Sequence, residues 1–307
     1  MTSLNYELMD VFTNNPFGGN QLAVFHDEIE LPTETMQKIA GELNLSETVF
    51  IRPPKNPDNQ KSLRIFTPKV ELPMAGHPTV GASFVLADKG LIPTEPGQNH
   101  WILEEQIGEI PVTVYKEGTA ISKVEMTQPL PVFGSQFQKP GLAADLLSLS
   151  PKDLDHRFPI QSISSGVPFL FIPVRTLAAM KDINFRVDIW ERQFSKNQYT
   201  QHIFVFTMQT EEKHSTVHSR MFAPAMGIQE DPATGAAGGP LGAYLVEHGV
   251  IPPSKDGTYM IRNEQGFEIQ RPSYIDITLT KIGSKISDVK IGGQSVSMGK
   301  GQIVLRE

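Results

Sequence analysis

Glu71-Leu-Pro-Met-Ala-Gly76-His77-Pro-Thr-Val, running on through Leu86 to Gly90-Leu-Ile-Pro93, returns later in the chain. The second copy is Glu230-Asp231-Pro-Ala-Thr-Gly235-Ala-Ala-Gly, running on through Leu245 to Gly249-Val-Ile-Pro252. Glu, Pro, Gly, Leu, Gly, Ile and Pro recur in register, each displaced by 159 positions (71 to 230, 76 to 235, 90 to 249). Upstream of each copy stands Arg-x-Phe-x-Pro: Arg64-Ile-Phe66-Thr-Pro68 and Arg220-Met-Phe222-Ala-Pro224. A repeat of this length predicts two similar lobes. Each copy reads as strand, Gly-Pro turn, then a helix closed by Gly and Pro, over Thr79–Lys89 and Ala237–His248. Glycine permits close backbone approach, and a helix N-terminus presents free N–H groups with partial positive charge. Two such ends facing one another would hold a small carboxylate or phosphate, which points to a small-molecule enzyme.

The chain has 307 residues, enough for about two domains of ordinary size. Gly (25) and Pro (24) are frequent, so turns are many and elements short. The net charge of −7, with cations scattered, argues against nucleic acid as a partner. The longest apolar runs, such as Val167-Pro-Phe-Leu-Phe-Ile-Pro-Val174, are too short to span a bilayer. The N-terminus lacks the pattern of a signal peptide, so a cytoplasmic location is expected. Cysteine is absent, which excludes disulfides, thiolate nucleophiles and cysteine-ligated zinc.

Outward from the repeats, strands are expected at Tyr6–Thr13, Gln21–Phe25, Ser46–Ile51 and Ser62–Thr67, and a three-stranded meander at Trp101–Met126. Pro32–Leu43 reads as a helix capped by Thr33. Gln128–Gly141 is proline-rich and reads as the connection between lobes. Helices are expected at Leu142–Leu149 and Asn184–Lys196, and strands at Ile160–Ser164, Phe169–Val174, His202–Met208 and Thr216–Phe222. The tail from Tyr259 to Leu305 gives at least three strands. Many strands and few helices make the class α+β.

Four residues carry candidate chemistry, each with a plainer alternative. Glu47 is an ionisable group in an apolar strand: either a solvent-facing position or partner of Arg64, or a base tuned by burial. His77 is either the cap of its helix or a ring beside a ligand. Asp231 is a capping carboxylate or an acceptor for a substrate group. Asn20, in Gly18-Gly19-Asn20, reads as a turn residue. His214 and His218 have the spacing of a helical zinc pair but enter a strand, with no third ligand in evidence, so no metal is expected. P-loop, dinucleotide and nucleophile-elbow motifs are missing.

Taken together, these segments resemble the PhzF family of phenazine-biosynthesis isomerases, which shares the diaminopimelate epimerase-like fold. The matching pieces are Asp10-Val-Phe-Thr with Pro16-Phe-Gly-Gly-Asn20-Gln-Leu-Ala-Val-Phe25, Leu45-Ser46-Glu47-Thr48-Val-Phe50, Arg64-Ile-Phe-Thr-Pro68 with Glu71-Leu-Pro-Met-Ala-Gly76-His77-Pro78-Thr79-Val-Gly81, and Glu230-Asp231-Pro232-Ala-Thr234-Gly235. The resemblance implies two pseudo-symmetric lobes, each an antiparallel-rich β barrel around a central helix, with the active site between them. The last strand (about 295–307) would complete the first lobe (1–127), leaving 128–294 as the second. It implies homodimers, a small carboxylate substrate and no membrane. It makes Glu47 the proton carrier, His77 and Asp231 its assistants, the Gly76 and Gly235 turns a carboxylate cradle, and Asn20, Ser46 and Ala236 further substrate contacts. Racemases of the superfamily use paired cysteines, which this chain lacks. The implied reaction needs no cofactor or metal: Glu47 takes a proton from one ring carbon and returns it to another, in the first instance on trans-2,3-dihydro-3-hydroxyanthranilate. One departure stands out: phenazine enzymes tend to carry Ser where this chain has Ala236. Rival readings are an isomerase of another amino-acid-like carboxylate and a non-catalytic carboxylate binder.

Overall fold

The computed structural model describes residues 2–252, 256–283 and 285–305. Its elements run, in chain order, β1 (Thr2–Val11), β2 (Asn20–Phe25), α1 (Thr33–Leu43), β3 (Glu47–Arg52), β4 (Lys61–Phe66), β5 (Glu71–Leu72), α2 (Gly76–Asp88), β6 (Gly97–Glu105), β7 (Gly108–Glu117) and β8 (Ala120–Thr127). They continue with β9 (Val132–Gln136), α3 (Pro140–Leu147), β10 (Gln161–Ser164), β11 (Pro168–Pro173), α4 (Leu177–Lys181), α5 (Val187–Gln193), β12 (Ile203–Thr207), β13 (Val217–Ala223) and β14 (Ile228–Asp231). The last are α6 (Gly238–Glu247), β15 (Gly257–Gln265), β16 (Ser273–Ile282), β17 (Lys285–Gly293) and β18 (Ser295–Leu305). The chain clusters into two units, Met1–Thr127 with Gly292–Glu307, and Gln128–Ile291.

In the first unit the strands pair in the order β18–β1–β2–β3–β4–β6–β7–β8, with β2–β3 and β4–β6 parallel and the rest antiparallel. This curved sheet wraps α2, which touches β1, β2, β3, β7, β8 and β18. Eleven of the helix's 13 residues are buried, as expected of a helix apolar all round. Gly81 sets the approach: a Cβ there would lie 2.5 Å from Leu22 Cδ2 and 2.7 Å from Val11 Cγ2. On the outer face α1 packs Met36, Ile39 and Ala40 against Phe25, Phe50 and Phe66. β2 and β3 are therefore covered on both sides, which is why they read as apolar runs rather than alternating strands.

The second unit repeats the plan. Its strands pair in the order β9–β10–β11–β12–β13–β15–β16, with β11–β12 and β13–β15 parallel. Nine of the ten residues of α6 are buried. Tyr244 on α6 meets the rings of Phe171 and Phe206, and Gly238 and Gly242 pass against Ile291 and Ile277. Helices α3, α4 and α5 cover the outer face of β11–β13. The fold is thus α+β, a barrel around a central helix in each unit.

Several local expectations need correction. Thr33 does not cap α1; Pro32 holds the cap position, and Thr33 Oγ1 instead accepts from Arg64 Nη2 at 3.0 Å. Gln128–Gly141 is not only a connection, because β9 pairs there with β10. The helix expected at Asn184–Lys196 covers only Val187–Gln193. Residues 184 and 186 instead donate their amides to Leu147 and Leu146 at the end of α3. α4 escaped the sequence reading because five residues are too few to show a period, although Thr176 caps it by accepting from Ala179 N at 3.1 Å.

Candidate active site

In the first unit the fold brings Asn20, Glu47 and His77 together. Because β2 and β3 are parallel, with Leu22 opposite Glu47, both strands start at the same end, where α2 also begins. The chain reaches Asn20 through Gly19, whose φ of +63° and close approach to the Val11 carbonyl (2.4 Å from a Cβ) admit only glycine. Asp10 braces the same loop, its Oδ2 accepting from Phe17 N at 2.8 Å.

Asn20 Nδ2 lies 3.2 Å from His77 Nδ1, and His77 Nε2 lies 3.3 Å from Glu47 Oε2. All three are buried, Glu47 at 7% exposure and His77 at 3%. His77 is not the helix cap: that place belongs to Ala75, the helix starts at Gly76, and the ring points into the protein. Burial lowers the His77 pKa to about 3, the Gln21 backbone opposing only in part. The imidazole is therefore neutral, and its 3.3 Å approach to Glu47 is a close polar contact rather than an ion pair. Ser46, half-buried, precedes Glu47 at the start of β3.

Glu47 does not partner Arg64. Arg64 instead makes a two-pronged contact with Glu71 (2.6 and 2.7 Å) and lies over the Phe66 ring at 5.3 Å. Arg220 does the same with Glu230 (2.8 and 2.8 Å) and Phe222 (5.2 Å). The repeated Arg-x-Phe motif is thus an architectural clamp in each unit, tying β4 to β5 and β13 to β14 by a bidentate pair and a cation–π contact.

In the second unit Asp231 is buried and accepts from Thr234 Oγ1 at 2.6 Å, so the local, cap-like reading describes one of its contacts. Gln265 accepts from Thr234 N (3.1 Å) and donates to Asp231 O (2.7 Å) and Thr234 Oγ1 (3.0 Å). Gln128 spans the start of α6, donating to Gly235 O (3.0 Å) and accepting from Gly239 N (2.9 Å). Ala236 sits half-buried in the short 3-10 turn Gly235–Ala237.

Sequence reasoning missed a second layer of the repeat. Glu104 accepts from Lys55 N (2.8 Å) and Asn56 N (2.7 Å), and Glu264 accepts from Glu211 N (2.5 Å) and Glu212 N (3.1 Å). The following residues correspond too: Glu105 is acted on by the Ala75 amide and Gln265 accepts the Thr234 amide, each just before the repeated glycine. The signal was present as Leu103-Glu104-Glu105 beside Asn263-Glu264-Gln265, displaced by 160 rather than 159.

His214 and His218 do not face one side together. His214 lies in an exposed turn, whereas His218 is fully buried on β13 between Glu264 (2.8 Å) and Glu268 (2.9 Å). Burial by itself would lower its pKa, but the two carboxylates reverse this and push it up to about 9. Among the described residues, no group of three or more His, Cys, Asp or Glu is arranged to hold a metal ion. No helix there is long and apolar enough to cross a membrane.

The duplicated barrel-and-helix unit defines the class: a protein of the diaminopimelate epimerase-like fold. The chain matches the family model described as phenazine biosynthesis-like protein over residues 9–301, and it belongs to that family. It is 37% identical to an uncharacterised isomerase of Mesorhizobium japonicum, over 99% of this chain and 100% of the relative. It is 32% identical to the trans-2,3-dihydro-3-hydroxyanthranilate isomerase of Pseudomonas fluorescens, over 98% and 99%. A crystal structure of a Bacillus anthracis phenazine biosynthesis protein of the PhzF family superposes with a TM-score of 0.88 at 26% identity, over 99% of this chain and all of that one. The protein is an isomerase of this family.

Proposed function

We propose that the protein moves a proton within a small carboxylate, with Glu47 as the proton carrier and trans-2,3-dihydro-3-hydroxyanthranilate as the substrate. The observation that carries this is the buried Glu47–His77 contact. Neutral His77, with a pKa near 3, holds a proton too weakly to accept one from carbon, so the carrier's part falls to the carboxylate beside it. Glu47 removes a proton from one ring carbon, the electron pair delocalises through the unsaturated ring, and the same carboxyl returns the proton to another carbon on that face. His77 lies against the carboxylate, its Nε2 at 3.3 Å, and orients it by contact. The N–H groups that open α2 and those of the Gly235 turn are read, each in its own unit, as carboxylate-binding positions, and Asn20, Ser46, Asp231 and Ala236 as further substrate contacts. Relatives that carry this substrate in their names, at about a third identity along the whole chain, support the choice. Ala236, which has no hydroxyl to offer, favours one second reading, a different amino-acid-like carboxylate on the same scaffold. We read the enzyme as a cytoplasmic homodimer, which light scattering of the purified protein tests. The reaction is tested by NMR in D2O. Isomerised product carrying solvent deuterium at one ring carbon is expected; binding with neither product nor exchange would mean a non-catalytic carboxylate binder.

A further inference from the structure

Glu105 ends β6 and is buried, yet the proton transfer above gives it no part. It lies against the start of α2, where the Thr79 hydroxyl meets two acceptors: the Ala75 carbonyl at 2.6 Å and the Glu105 carboxyl. One hydroxyl has one hydrogen and cannot serve both. The conflict disappears if the carboxyl is the acid form: Glu105 then donates to Thr79 Oγ1, and Thr79 donates to the Ala75 carbonyl.

The second unit has a related contact built with a neutral side chain, through a threonine that precedes the repeated glycine where Thr79 follows it. At the position corresponding to Glu105, Gln265 donates through Nε2 to Thr234 Oγ1 (3.0 Å), and Thr234 donates onward to Asp231 (2.6 Å). Each side chain also lies at the amide of the residue before the repeated glycine: Gln265 accepts from Thr234 N at 3.1 Å, and the Ala75 amide acts on the Glu105 carboxyl. A glutamine and a protonated glutamate have the same shape and the same donor–acceptor sense.

We propose that Glu105 works as a neutral carboxylic acid that, through Thr79, fixes the Ala75–Gly76–His77 turn, and is thus a positioning residue for the active site. Its surroundings agree. Burial raises its pKa to about 8, the Thr79 hydroxyl and Ala75 amide only partly opposing. The charged groups on neighbouring elements turn elsewhere. Glu104 faces the Lys55 and Asn56 amides, Glu109 the Asn56 and Asn59 side chains, and Glu71 faces Arg64. Lys123 pairs with Glu125, and His77 turns to Asn20 and Glu47. When Glu105 ionises, the Thr79 hydrogen must turn to it and the Ala75 carbonyl loses that donor.

The effect on turnover rests on the proton-transfer reading above; the protonation of Glu105 does not, and the test separates them. Thermal unfolding of wild type and Glu105→Gln is measured from about pH 5 to about pH 9.5. A carboxyl whose folded pKa lies above its unfolded one contributes stability at low pH that is lost as pH rises. The difference should therefore move in favour of the glutamine variant as pH rises toward about 8, then level off. Parallel curves at all pH values would overturn the proposal. In the same buffers, wild-type kcat on trans-2,3-dihydro-3-hydroxyanthranilate should fall about ten-fold per pH unit above the Glu105 pKa. Glu105→Gln should keep kcat within a few-fold at neutral pH and lack that fall; an unchanged alkaline limb in the variant would overturn the positioning role. Absence of turnover in wild type at every pH would count against the substrate, and the unfolding series would still decide on Glu105. Should the variant not fold, carboxyl 13C NMR of wild type labelled at glutamate replaces it. One resonance still protonated at neutral pH supports the proposal, and titration of all of them in the ordinary carboxylate range overturns it.

Discussion

Glu47→Gln separates proton transfer from everything else Glu47 does. The amide fills the same buried slot, 7% exposed, and keeps the contact with His77, whose Nε2 lies 3.3 Å from the carboxylate. Packing is retained, so stability should stay within about 1 kcal/mol of wild type. What disappears is the group that accepts a proton. A positioned acid/base is worth about 10²–10⁴ in rate, or about 2.7–5.5 kcal/mol at 1.36 kcal/mol per decade. No neighbour can take over, because a ring with a pKa near 3 is a poor proton acceptor from carbon. The assay is turnover of trans-2,3-dihydro-3-hydroxyanthranilate followed by NMR in D2O, with binding of 3-hydroxyanthranilate and circular dichroism as controls. Loss of turnover and deuterium uptake, with folding and binding intact, is expected. Turnover within a few-fold of wild type would refute the assignment and with it the proposed division of labour between Glu47 and His77.

Gln128→Leu should cost about 2–6 kcal/mol in urea unfolding, since it leaves the buried Gly235 C=O and Gly239 N–H unpaired at about 1–3 kcal/mol each. His218→Gln should remove a pH dependence from stability. With a folded pKa of about 9 above its unfolded value of 6.5, His218 stabilises fully below pH 6.5, and the contribution is lost as pH rises through 9. The wild-type advantage should shrink across that window, and a constant difference would mean that His218 is not charged between Glu264 and Glu268. Ala236→Ser should raise affinity for 3-hydroxyanthranilate about ten-fold or more in calorimetry, because a hydrogen bond to a charged group is worth about 1.5–3 kcal/mol. Equal affinities would show that this position does not meet the ligand.

Gly, Pro and the Arg-x-Phe pair made the duplication legible, because each occupies a place that backbone geometry or a bidentate contact restricts to few residue types. Gly81 must be small where α2 meets Leu22, and Arg220 must be arginine to grip Glu230 and cover Phe222. Both requirements are local enough for one sequence to display. The candidate site was less legible. Asn20 and His77 are 57 positions apart, and nothing around His77 distinguishes a cap from a buried ring, since burial is decided by strands folded from elsewhere. The shortened α5 was hidden for a related reason: its start is set by contacts with α3 rather than by a capping residue of its own, while α4 is too short to show a period.

The second layer of the repeat was hidden by loops of unequal length. Arg64 corresponds to Arg220, a displacement of 156, whereas Glu71 corresponds to Glu230, at 159, because the second unit inserts three residues between clamp and turn. Surface connections tolerate such insertions, but the buried contacts they join do not. Glu104 and Glu264 therefore still receive two successive loop amides each, although the register has slipped again to 160. One position later the two units part chemically, Glu105 in one and Gln265 in the other, while each lies by the amide of the residue before the glycine and meets a threonine hydroxyl, Thr79 in one and the differently placed Thr234 in the other. An acid and an amide at corresponding positions, each against a threonine hydroxyl, share shape and hydrogen-bond sense rather than charge. A buried carboxyl that obeys the same geometry, with no cation paired to it among the described residues, keeps that sense only while it holds its proton.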